Sequence, residues 1–285
     1  MEDDDKPVGR VLTRRKALAV FGAAGVTFTA VGTAIAADAS TSTTKAVDCV
    51  AKPEMTEGPY FVDEGLNRSD LRVDTSDGSR VAGTTFTLVL HILQVGSKAC
   101  TPLPGATVDL WHCDAAGVYS DIAAEGTTGK NFLRGYQVTN SGGIVKFTTI
   151  LPGWYQGRTV HTHVKVRTTG TDGNPYEFTS QLFFTEEFKA GYLATAPYAA
   201  EGTPDTTNDA DIHYADIGDQ MLLQAKQTRN GYEAAFAIAL DLSDTGVGAD
   251  DAFSMPGGGG GTPPTGTPPT GTPPTGTPPS ATPVA

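Results

Sequence analysis

β-Branched and aromatic residues gather in this chain in short runs closed off by Gly, Pro and Asn. That pattern leaves little room for anything but a β fold. The runs are "TTFTLVLHILQV" (84–95), "ATVDLWHCD" (106–114), "GGIVKFTTI" (142–150), "TVHTHVKVRT" (159–168) and "EFTSQLFFT" (177–185). Asn230-Gly231 divides "MLLQAKQTRNGYEAAFAIAL" into two apolar halves, which is hairpin-turn chemistry. Helical spacing is nearly absent, with "TEEFKAGYL" (185–193) the one short candidate. The sequence therefore predicts an all-β chain, an antiparallel sandwich or barrel-like core with long loops at 115–135 and 191–217.

Composition shifts divide the 285 residues into four stretches. Residues 1–36 have a basic start, an apolar stretch from Ala17 to Ala36 and a small-residue end at Ala34-Ile35-Ala36, the layout of an export signal. Arg14-Arg15 ahead of the apolar stretch adds a twin-arginine reading, a route that carries folded proteins. Residues 37–47 read as a flexible leader and 48–255 as one globular domain. From 256 to 285 the chain becomes a Gly and Thr-Pro-Pro stalk, too proline-dense to bury a core and suited to reach a surface or polymer.

The whole chain carries a net charge of −12, and removing 1–36 leaves 28 acids against 15 bases. An acidic surface without a basic cluster argues against nucleic acid and against membranes once the signal is gone. Cys49, Cys100 and Cys113 allow three single pairings. Cys113 falls within a predicted strand, which favours Cys49–Cys100; three free thiols are the alternative.

Two of the five histidines, His161 and His163, stand one residue apart in "GWYQGRTVHTHVKV" (153–166). On a strand their side chains share a face, roughly 6–7 Å apart, close enough to converge on one ion. Two strand histidines bonded to backbone or solvent give the same pattern. No glutamate follows the pair as in a cupin, and no third ligand of zinc-hydrolase type lies nearby. Tyr155 and Arg158 precede it instead, and Tyr119 ends another run. Phenolate is an anionic oxygen donor that suits a hard, oxidised iron.

"LPGATVDLWHCDAAGVYS", "FLRGYQVTNSGGIVKFTTILPGWYQGRTVHTHVKV" and "TSQLFF", preceded by "TEGPYF" (56–61) and "NRSDLR" (67–72), resemble the intradiol ring-cleaving dioxygenases, the group of protocatechuate 3,4- and catechol 1,2-dioxygenases. The likeness runs over about 55–190. It implies a β-sandwich holding one non-haem Fe(III) per chain, with Tyr119, Tyr155, His161 and His163 as ligands and Tyr155 as the displaceable one. It also implies Arg158 and Gln181 beside the substrate ring, and Tyr60 at the mouth of the pocket. The reaction implied is cleavage of a catechol by O2 between its two hydroxyl-bearing carbons, giving a muconate, and the export-signal layout places it outside the cell. The rival readings are a secreted sandwich that only binds, for instance a polysaccharide, and a zinc or copper H-x-H enzyme. Trp111, Trp154 and Phe132 are assigned to packing ahead of the pocket wall, His91, His112 and His213 to structure, and Arg68 with Asp70 either to an ion pair pinning the leading segment or to a solvated pair.

Overall fold

Strand β1 (Thr85–Gln94) shows how the sequence pattern becomes a layer. Its Phe86, Leu88, Leu90 and Ile92 are buried while the alternate residues are half-buried, so one face of the pleat supplies the core. Each such side chain contributes roughly 1.5–3 kcal/mol by leaving water. A computed structural model describes residues 49–215 and 217–246. The expected export signal at 1–36, the expected leader at 37–47 and the expected stalk at 256–285 lie outside the described residues.

The first sheet is built around β1. β5 (Ile144–Ile150) pairs antiparallel along Thr85–His91, and the two-residue β2 (Thr101–Pro102) continues at Leu93 and Gln94. On the other side lies β9 (Gly231–Leu240), joined to β8 (Lys226–Thr228) by the hairpin expected at Asn230-Gly231. One pairing departs from the antiparallel expectation: β9 runs parallel to β1 from Phe86 to Gln94. A parallel partner needs a long connection, and here the intervening strands and loops provide it.

The second sheet has the order β4 (Arg134–Val138), β3 (Thr107–Trp111), β6 (His161–Thr169), β7 (Pro175–Phe183), all antiparallel. β4 begins within the stretch expected to be loop. The predicted helix is α1 (Glu186–Leu193), capped by the Thr185 side chain, which accepts from the Phe188 N–H. Both sheets share one core, to which the second gives Val108, Leu110, Val164 and Val166. Among the described residues no helix is long and apolar enough to cross a membrane.

β6 is buried on both faces. Thr162, Val164 and Val166 point one way, so His161, His163 and Lys165 occupy the face turned from the core. A strap, residues 49–73, covers that outer face. Met55 N–H donates to Thr179 O at 2.9 Å and Arg68 N–H to Tyr136 O at 3.0 Å. Lys165 Nζ pairs with Glu57 at 2.5 Å and with Glu177, and lies 4.9 Å from the Phe61 ring centre. Cys49 is joined to Cys100, closing a 51-residue separation, and Cys113 is buried and free.

The expected Arg68–Asp70 pair is not formed. Asp70 takes both prongs of Arg72, at 2.9 and 2.7 Å, because it also accepts the Arg72 backbone N–H in a tight turn. Arg68 turns the other way and donates to the carbonyls of Val73, Asn131 and Arg134.

Candidate metal centre and active site

Strand register assembles the first part of the site. Trp111 of β3, His163 of β6 and Gln181 of β7 stand directly opposite one another, so all three project from the outer face in one row. His161, one pleat along, is opposite Phe183. The imidazoles converge, with His161 Nε2 3.1 Å from His163 Nε2. The phenol of Tyr155, on the turn leading into β6, meets His161 Nε2 at 3.2 Å.

Tyr119 reaches the same point from the loop after β3. That loop is pinned by Glu125, which accepts the Tyr119 N–H, and by Thr127, whose hydroxyl donates to Tyr119 O at 2.6 Å. The Tyr119 and Tyr155 rings are 5.7 Å apart at 73°. Gly117 makes this meeting sterically feasible. Its φ is +84°, and a Cβ there would sit 2.3 Å from Trp154 O and 3.2 Å from Tyr155 Cβ.

Tyr60 comes from the strap. Its ring stacks on Tyr119 at 4.4 Å and 20°, and presents an edge to Tyr155 at 5.9 Å. Arg158 binds Gln181 Oε1 at 2.5 Å, and Gln181 Nε2 donates to Thr56 O at 3.1 Å, tying the arginine to the strap. All seven residues singled out in the sequence thus belong to one connected neighbourhood. Two more were not marked as functional. Trp111, assigned to packing, lies flat on His163, and Asp211 binds Arg158 Nε at 2.8 Å. Strand register alone could have paired Trp111 with His163; no sequence signal marks Asp211.

The donor set suits a hard cation. His161 Nδ1 faces Thr159 O at 2.7 Å and must donate to it, which leaves the Nε2 lone pair aimed into the site. Burial, then the Arg158 charge, holds His161 well below the usual histidine range; burial, then His161 itself, does the same for His163. Both imidazoles are therefore neutral, the form that ligates. Burial raises the Tyr119 and Tyr155 phenols, opposed at Tyr155 by the Arg158 charge, so a strongly Lewis-acidic ion is needed to displace their protons to solvent. Tyr119 Oη is buried with no hydrogen-bond partner among the described residues. Donor atoms 3.1 and 3.2 Å apart have the spacing of neighbouring ligands on one cation with bonds of about 2.1 Å. Among the described residues no three His, Cys, Asp or Glu side chains gather about one point, so a zinc site built from those types is not formed.

Known proteins share both the sequence and the fold. A family described as "Dioxygenase" matches residues 56–184. Catechol 1,2-dioxygenase of Acinetobacter baylyi is 27% identical over 208 residues, and the chain spans 63% of the length of that relative, as the match does of this chain. Catechol 1,2-dioxygenase of a Pseudomonas species is 28% identical over 190 residues, covering 53% of this chain and 59% of the relative. Among solved structures, an intradiol ring-cleavage dioxygenase from Tetranychus urticae superposes with a TM-score of 0.58 at 28% identity, covering 68% of this chain and 96% of that one. The matched span carries every residue of the convergent site except Asp211, and over that span the chain is similar to the intradiol ring-cleavage dioxygenases.

Proposed function

We propose that the chain is a non-haem Fe(III) dioxygenase that cleaves catechols between their two hydroxyl-bearing carbons with O2, giving cis,cis-muconate-type products, and that it acts outside the cell after twin-arginine export. The observation that carries this reading is the convergence of two neutral imidazoles and two phenols beside an arginine. Tyr119, Tyr155, His161 and His163 would hold the ion, which when bound supplies a Lewis acid that activates the catechol toward dioxygen.

The remaining work belongs to the chain. Tyr155 Oη, the more accessible phenol, can leave its place and take a catechol proton. The Arg158 guanidinium has N–H groups to spare beyond those bound to Asp211 and Gln181. It stabilises negative charge that develops on the ring. Gln181 keeps the guanidinium from swinging away, and Tyr60 closes the site with an apolar face that excludes water.

The test is direct. Purified protein should contain about one iron per chain, show the visible absorption of a ferric phenolate, and take up O2 on addition of catechol. A colourless, iron-free protein that consumes no O2 would favour the binding-module reading and sink this one.

A further inference from the structure

The loop from Asp205 to Asp211 grips three consecutive residues of the turn that leads into β6. Asp205 accepts the Gly157 N–H at 3.1 Å, Asp211 accepts Arg158 Nε–H at 2.8 Å, and Asn208 Oδ1 accepts the Thr159 hydroxyl at 2.7 Å. Asn208 is itself anchored, through Lys189 Nζ at 2.6 Å and through its own amide to Phe184 O at 2.9 Å. All three loop residues lie beyond the span matched by the family, which ends at residue 184.

Asp211 is the central element. Its side chain is 0% exposed against 16% for Arg158. Oδ1 accepts the His213 and Tyr214 N–H groups at 2.9 and 3.2 Å, which fixes the carboxylate to its own turn. Oδ2 accepts the Arg158 Nε–H and the Thr159 N–H, both at 2.8 Å. A buried carboxylate is costly unless paired and hydrogen-bonded, and four N–H donors meet that demand here. Because Oδ2 holds both Nε of Arg158 and the next backbone N–H, it fixes the side chain relative to the main chain. The guanidinium can then reach Gln181 in one orientation only.

We propose that Asp211 is a positioning residue for Arg158: it sets the plane and height of the guanidinium beside the site and acts on catalysis only through it. The inference rests on the dioxygenase reading for its kinetic test but not for its structural one. Asp211→Asn keeps an acceptor for the His213 and Tyr214 N–H groups while removing the charge that holds Arg158. It should lower kcat for catechol about 10- to 100-fold, as for a misplaced stabilising group, with iron content and visible absorption unchanged.

A double-mutant cycle separates this role from a merely structural one. In an Arg158→Ala background, Asp211→Asn should change kcat by less than about 2-fold, because the residue it acts through is gone. Losses that multiply independently overturn the proposal. If the Asn variant does not fold, Asp211→Ser, which also leaves an oxygen for the two N–H groups, takes its place in the cycle. If the wild-type protein cleaves no catechol, the proposed function fails and crystal structures carry the test. A guanidinium that leaves Gln181 in Asp211→Asn supports positioning, and one that stays in place refutes it.

Discussion

The indole of Trp111 lies face to face on the imidazole of His163, with ring centres 4.8 Å apart and planes 8° from parallel. His161 is oriented by a hydrogen bond to Thr159 O, whereas His163 Nδ1 has no hydrogen-bond partner among the described residues. The two imidazoles are thus aimed by different devices, one polar and one by stacking. Trp111→Leu should weaken iron binding about 10- to 100-fold, the usual cost of losing a ligand's supporting contact, while Trp111→Phe keeps most of it. Chelator competition on the purified variants measures this; equal affinity in all three proteins would remove Trp111 from the site.

The two ends of the "WYQGRTVHTH" stretch should respond differently. His163→Ala deletes a donor at the centre of the cluster and is expected to leave the protein without stoichiometric iron. Tyr155→Phe should retain iron and lose ring cleavage by roughly 100-fold, as for removal of a proton acceptor. Elemental analysis alongside O2 uptake checks both, and full activity in either variant contradicts the ligand assignment.

Gly117 is predicted to be intolerant of alanine. A Cβ there collides with Trp154 O and crowds Tyr155 Cβ, in a backbone region that side chains disfavour. Gly117→Ala should cost about 1–3 kcal/mol and shift Tyr155 from His161. Thermal unfolding gives the first quantity, and a changed phenolate absorption reports the second.

The Cys49–Cys100 disulfide ties down the start of the strap that covers the outer face of β6. For a separation of 51 residues, loop-closure entropy puts its contribution near 4 kcal/mol. Cys49→Ser with Cys100→Ser should lower stability by about 2–4 kcal/mol in urea unfolding and make the strap the first segment to exchange its amide protons. A variant with unchanged protection over 49–73 would contradict the tether.

His112 sets a pH limit. Its Nδ1 donates to Cys113 O and its Nε2 accepts from the Thr149 hydroxyl, both at 2.7 Å, which fits the neutral ring only. Burial pushes its pKa down from 6.5 to about 4. The unfolded chain takes this proton near pH 6.5 and the folded chain only near pH 4, so the associated stability is present above 6.5 and is lost as pH falls through that window. The full effect is about 3 kcal/mol. His161 and His163 are lowered in the same way, so the loss of stability between pH 7.5 and pH 4.5 should persist in His112→Gln but be smaller than in the wild type by about 2–3 kcal/mol.

Much of this was legible in the sequence for a physical reason. A strand with one face in the core alternates, and β1 does so from Thr85 to Ile92, while on the run carrying His161 and His163 the two histidines share one face. Quoted motifs then placed Tyr119, Tyr155, Arg158 and Gln181 in order along the chain, and the structure brings them together. Three things were not legible. The partner of Asp70 depends on which of two arginines, each two residues away, shares its turn, and local spacing is identical for both. The parallel match of β9 to β1 depends on where a long connection ends. Asp211 lies in a loop without periodicity, so its role exists only once the turn at 157–159 has been folded against it.

The parallel pairing has a consequence for assembly. β9 lies beside β1 from end to end, yet it begins at Gly231, after every side chain assigned to the site has already been made. Non-local pairings of this kind form late, because the whole intervening chain must first be closed into a loop. A ribosome therefore delivers the four candidate ligands, Arg158 and Asp211 before it delivers the strand that completes the first sheet. The first sheet is therefore completed only after the strands that carry the candidate ligands have all been made.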